Sequence, residues 1–80
     1  MPLYSTDDIY AASALRAGGM KFVGLSKRGN RGVFEFEDSP EREKLITDFY
    51  SGNLTQNVRE YVNQWVNFKR LVARLSSSNE

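Results

Sequence analysis

The stretch MKFVGLSKRGNRGVFEFED, residues 20–38, decides the fold. Two runs with alternating apolar residues flank Gly29-Asn30. A two-residue loop with glycine in its first position suits a hairpin closed by a type II′ turn. With that loop, Arg28 faces Arg31, Leu25 faces Phe34 and Val23 faces Phe36. Val23, Leu25, Phe34 and Phe36 then share one apolar face, while Phe22 opposite Glu37 and Gly24 opposite Glu35 share the other. The alternation holds along both runs, and a one-residue slip would exchange the faces, so the register is self-consistent. Its weak point is Arg28 against Arg31, because like charges directly across a strand pair repel. Phe22 is left among glutamates, either covered by the first helix or exposed.

Helices are expected on both sides of the hairpin. Before it, Ser5 is a good N-cap with Asp8 at N3, and Tyr4 and Ile9 fit a hydrophobic staple. Alanines 11, 12, 14 and 17 with Leu15 continue this helix, and Gly18-Gly19 stops it. Such a small-residue face lets another element approach closely. After the hairpin, Ser39-Pro40-Glu41 reads as a cap, first turn and acidic start. Leu45, Ile46, Phe49 and Tyr50 give that helix its apolar side, and Gly52 closes it. The last helix starts at a Thr55 cap and carries Val58, Tyr61, Val62, Trp65, Phe68, Val72 and Leu75 on one face at 100° per residue. Val66 and Leu71 fall off this stripe, and Lys69 falls within it. The expected elements are helix 5–18, strands 20–27 and 32–38, helices 40–51 and 55–75, and a frayed tail at 76–80. That is a small single α+β domain of order α-β-β-α-α, a two-stranded antiparallel hairpin packed against three helices.

Totals narrow the function. Eighty residues make one domain, and 40% apolar content suffices for a small core. Cysteine and histidine are both absent, which removes disulfides, an imidazole base and the usual zinc and haem ligand sets. The glycines form no nucleotide-binding pattern. Glu35 and Glu37 could form a carboxylate pair, but on an open strand face they read as solubilising charges. Asp38, Glu41 and Glu43 lack calcium-loop spacing, and the start of a helix explains Asp38 and Glu41 better. We therefore expect a binding module with no cofactor and no metal, not an enzyme. No apolar run approaches the roughly 20 residues needed to cross a bilayer, and the first residues lack the apolar segment of a secretion signal. A cytoplasmic location and no membrane partner are the corresponding expectations.

Charge is distributed unevenly despite a net of +1. Residues 53–80 carry Arg59, Lys69, Arg70 and Arg74 against Glu60 and Glu80. On the helical wheel Arg59, Asn63, Arg70 and Arg74 fall within about 60° of one another, away from the apolar stripe. With Lys27, Arg28 and Arg31 at the hairpin tip they form a candidate phosphate-contacting surface. The plainer reading is solvation of an exposed helix face, with cations complementing the C-terminal end of the helix dipole. Phe22, Val66 and Leu71, all off the predicted core faces, are candidates for a protein interface. They would serve a homodimer or a complex with a host protein.

The order of elements resembles a known family. YSTDDIYAASAL (4–15), a glycine, a strand, FEFEDS (34–39) and FKRLV (68–72) together resemble short uncharacterised domains found in phage and prophage genomes. The resemblance covers residues 4–75 and is most specific at 4–15 and 34–38. It implies a small, virus-encoded protein working in the cytoplasm of its host, and it carries over no functional residues. The expected function is contact with nucleic-acid phosphates, with protein interaction as the alternative.

Overall fold

A computed structural model describes residues 2–77. The chain forms β1 (Leu3–Thr6), α1 (Ile9–Ala17), β2 (Phe22–Arg28), β3 (Arg31–Glu37), α2 (Glu41–Ser51) and α3 (Val58–Ser77). The strands make one antiparallel sheet in the order β1-β3-β2, and the helices pack on its Phe34/Phe36 face. The α+β class is as expected. The hairpin is not alone, however: the order is β-α-β-β-α-α, because the segment read as a helix start pairs with β3 instead.

β1 sets Tyr4 across from Phe36 and Thr6 across from Phe34. The helix therefore begins later, and its cap is Asp8 rather than Ser5. Asp8 is extended (φ −93°, ψ 108°), and its Oδ1 accepts the backbone N–H of Tyr10 at 2.9 Å and of Ala11 at 3.3 Å. Its other oxygen, Oδ2, accepts the Tyr50 hydroxyl of α2 at 2.7 Å. One carboxylate thus caps α1 and ties α2 to it. Ala11, Ala12, Ser13, Ala14 and Leu15 are buried, as the small-residue face required. The approach is close enough that a Cβ on Gly18 would stand 2.9 Å from the Leu45 side chain.

The hairpin turn forms as read: Gly29 has φ +60°, and Arg28 pairs with Arg31, Leu25 with Phe34 and Gly24 with Glu35. At Val23 the reading fails. A bulge between Phe22 and Gly24 brings Phe22, not Val23, opposite Phe36. Val23 is the extra residue and is 49% exposed. Phe22 turns to the core side, with its ring centroid 5.5 Å from Phe36 and 4.9 Å from Phe68. The cause is tertiary. Phe68 of α3 sits 4.9 Å from Phe34 and 6.3 Å from Phe36, and Phe22 completes the aromatic cage around it.

α2 starts at Glu41 without a side-chain cap and ends on Gly52 in the left-handed region (φ 79°). Arg42 reaches back to Asp38 at 3.0 Å and lies 4.5 Å over the Tyr4 ring, joining α2 to β1. α3 starts at Val58, two residues later than a Thr55 cap implied. Asn57 Oδ1 accepts the Glu60 N–H at 3.0 Å, so Asn57 does the capping. α3 continues through Ser77, past the start of the expected tail; residues 78–80 lie outside the described ones. Phe68 is 2% exposed, and Leu71 and Val72 pack against the core. Val58 and Val62, expected inside, are 76% and 44% exposed. α1 engages Tyr61 and Trp65 instead: Tyr61 donates to the Tyr10 carbonyl, and Trp65 stacks on Tyr10.

Two outcomes follow from these joints. Phe68→Ala should lower unfolding free energy by about 3–5 kcal/mol, read from urea denaturation, because it empties the cage at the centre of the core. The hydrogen bond to Asp8, with some burial, pushes the Tyr50 phenol up to about 12. A folded value above the unfolded one, near 10, contributes stability below the unfolded value. That stability is lost as pH rises toward about 12. Urea midpoints of the wild type should therefore fall more steeply above pH about 10 than those of Tyr50→Phe.

Candidate nucleic-acid interface

The eleven cations divide into three sets. Four are ion-paired: Lys21 with Glu37 at 3.1 Å, Arg31 with Asp7 at 2.6 Å, Arg42 with Asp38 at 3.0 Å and Lys44 with Asp48 at 2.7 Å. The Arg42 hydrogen bond holds the Asp38 carboxyl below its ordinary range. Arg16 donates to the Met20 carbonyl, and Lys69 lies 4.5 Å over the Trp65 ring. Lys27, Arg28, Arg59, Arg70 and Arg74 have no carboxylate partner among the described residues, and all five are exposed.

Helix geometry explains why three of them stand clear. With Phe68 pointing into the core, Arg59 and Arg70 lie about 180° and 160° away on the wheel, and Arg74 about 120° away. They project to solvent along about 22 Å of α3. Glu60 accepts an amide hydrogen bond from Gln64 at 2.8 Å and is paired with none of them. The hairpin lies beside the last turns of this helix, since a Cβ on Gly32 would stand 3.6 Å from Val72. Lys27 is paired across from Gly32, so it belongs to the same end of the molecule as Arg74.

Arg31 differs from the other expected phosphate contacts. Its guanidinium is held by Asp7, and this relieves the repulsion from Arg28 opposite. Both partners are well exposed, so the pair is weak and salt-sensitive. Asp7 was not legible as a site residue. It reaches Arg31 only because β1 lies against β3, and β1 itself gave no signal.

The expected interface residues are placed differently. Phe22 and Leu71 come together in the wall of a groove with Arg74. Both also pack against the core, and the cover over Phe22 includes Phe68 of α3 rather than the first helix alone. Val66 is half-buried on α3 and does not line that groove. Glu35 and Glu37 lie on the sheet face away from the core, with Glu37 paired to Lys21. Among the described residues no three metal-ligating side chains come together, and no helix is long and apolar enough to cross a membrane.

Over residues 1–74 the chain matches a domain of unknown function, DUF5659, and it belongs to that family. No curated protein and no solved structure matches it.

Because Arg59 and Arg70 are exposed and make no ion pair among the described residues, replacing both with Ala should shift unfolding free energy by less than about 0.5 kcal/mol. Urea denaturation of the double variant checks this, and a larger loss would assign the pair a structural role.

Proposed function

We propose that this domain is a non-catalytic binding module that holds nucleic-acid phosphates on a basic surface. The surface comprises Lys27 and Arg28 at the hairpin and Arg59, Arg70 and Arg74 on α3, with Arg31 available once a phosphate displaces Asp7. One observation carries the reading: among the described residues these five cations have no carboxylate partner while four others are matched to carboxylates. Four of the eleven cations lie beyond residue 52, where only two acids lie. A phosphate backbone meeting this side is attracted at short range even though net charge is only +1. Contacts of this kind position a nucleic acid without reading its sequence. The setting we infer is a virus-encoded protein in its host's cytoplasm, on the strength of residues 4–15 and 34–38.

A protein-interaction module is the second reading. It is favoured by the exposure of Val58 and Val62 on α3, at 76% and 44%, and of Tyr10 on α1, at 54%.

Fluorescence anisotropy of labelled oligonucleotides over a salt series tests the first reading. Binding should weaken steeply with salt. In the Arg70→Ala/Arg74→Ala double variant the slope of log affinity against log salt should be shallower by about 1.4 to 1.8. An unchanged slope would remove both arginines from the interface. Absence of binding at low salt would reduce the cations to solvation and leave the second reading.

A further inference from the structure

Beside the free cations runs a groove that phosphates cannot explain. It lies between β2 and the last turns of α3, lined by Phe22, Gly24, Leu25, Leu71, Arg74 and Leu75, with a volume of about 460 Å³. That size is within the roughly 300–1,000 Å³ of sites that hold small ligands or single chemical groups. Most of its wall is hydrocarbon and aromatic ring. An ionised phosphate would lose its hydration there with little in return.

We propose that the groove takes an unpaired nucleobase, so that the nucleic acid bound is single-stranded; this rests on the phosphate-contacting reading above. Arg74 belongs to both features. It stands four residues, about 6 Å of helix rise, beyond Arg70 in the cation row, and it also lines the groove. A strand whose phosphate is held by Arg74 therefore has its base at the mouth of an apolar slot. A single strand can turn that base in and gain contact with its π-face, whatever the base's identity. A duplex keeps its bases stacked inside and presents only charged backbone to the same surface.

The groove's other plausible guest is an extended peptide added to β2, which is an edge of the sheet. Two features of β2 disfavour strand addition. The Phe22/Gly24 bulge breaks the regular ladder at one end, and Lys27 and Arg28 charge the other. Both are devices that keep edges unpaired. Neither feature hinders a base, which needs no backbone ladder.

The test uses the unaltered protein and three labelled ligands at one low salt concentration: a short oligothymidylate, an abasic strand of the same length, and a duplex of the same length. Affinity is read by anisotropy. Oligothymidylate should bind about 5- to 150-fold more tightly than the abasic strand, the range for one stacked base, and more tightly than the duplex. In Leu71→Ala this preference should shrink, while Arg59→Ala should weaken both strands alike. Equal affinity for the abasic strand, or tightest binding to the duplex, would overturn the groove assignment and leave the phosphate surface standing. Failure of all three ligands to bind would overturn the phosphate surface, and the groove assignment with it.

Discussion

Phe68 is the contact on which the rest of this small domain depends. Its ring meets Phe22, Phe34 and Phe36 at once, and among the described residues it is the one fully buried side chain that α3 contributes to the core. Aromatic pairs in such geometries contribute about 0.5–1.5 kcal/mol each beyond the area they bury. In an 80-residue chain without disulfides or a metal motif, stability is only a few kcal/mol, so such terms decide whether it folds. The cage also fixes position. It holds α3 across the sheet so that the helix's last turns run beside β2, and that placement sets Arg74 next to Phe22 and Leu71.

The core can be this small because α1 takes up so little room. Its alanines and Ser13 let neighbours approach to backbone distance, and Ser13 answers its own burial by donating to the Ile9 carbonyl at 2.7 Å. Polar groups then join what a larger core would have joined by packing. Asp8 caps α1 with one oxygen and holds Tyr50 with the other. Gln56 donates to the Ala14 carbonyl at 2.7 Å, which pins the α2–α3 connection to the end of α1. Arg42 links Asp38 to the Tyr4 ring.

Much of this was legible in the residues, and the failures share a cause. The hairpin turn, α2 and α3 follow from local signals: a glycine at positive φ, closing glycines and periodic apolar positions. β1 was not legible. Four residues are too few for alternation to register, and Ser5 followed by Asp8 imitates a cap so well that the segment reads as a helix start. The bulge at Val23 was not legible either, since nothing in FVG marks it; it forms because Phe68 needs Phe22 as a wall. At the candidate site, the residue types and their spacing on α3 were visible. Their ionic state was not, because whether an arginine is free depends on where the acids fold. Arg31 shows this. It looked the same as Arg28, and only β1 brought Asp7 to it.

That separation of matched from unmatched cations bears on how the domain would hold a partner. A net charge of +1 gives little long-range steering, so encounter owes little to attraction at a distance. At physiological salt, fields from single charges fade within about 8 Å. A handful of exposed arginines spread along α3 would then hold a polyanion only weakly and with no preference among strands. The apolar groove at one end of the row would change that balance. It would add an interaction that salt does not screen, on a part of the ligand that a duplex conceals. Under the proposed reading the two features would act as a pair: the exposed cations would hold a phosphate chain along α3, and the groove beside Arg74 would distinguish a chain with exposed bases from one without.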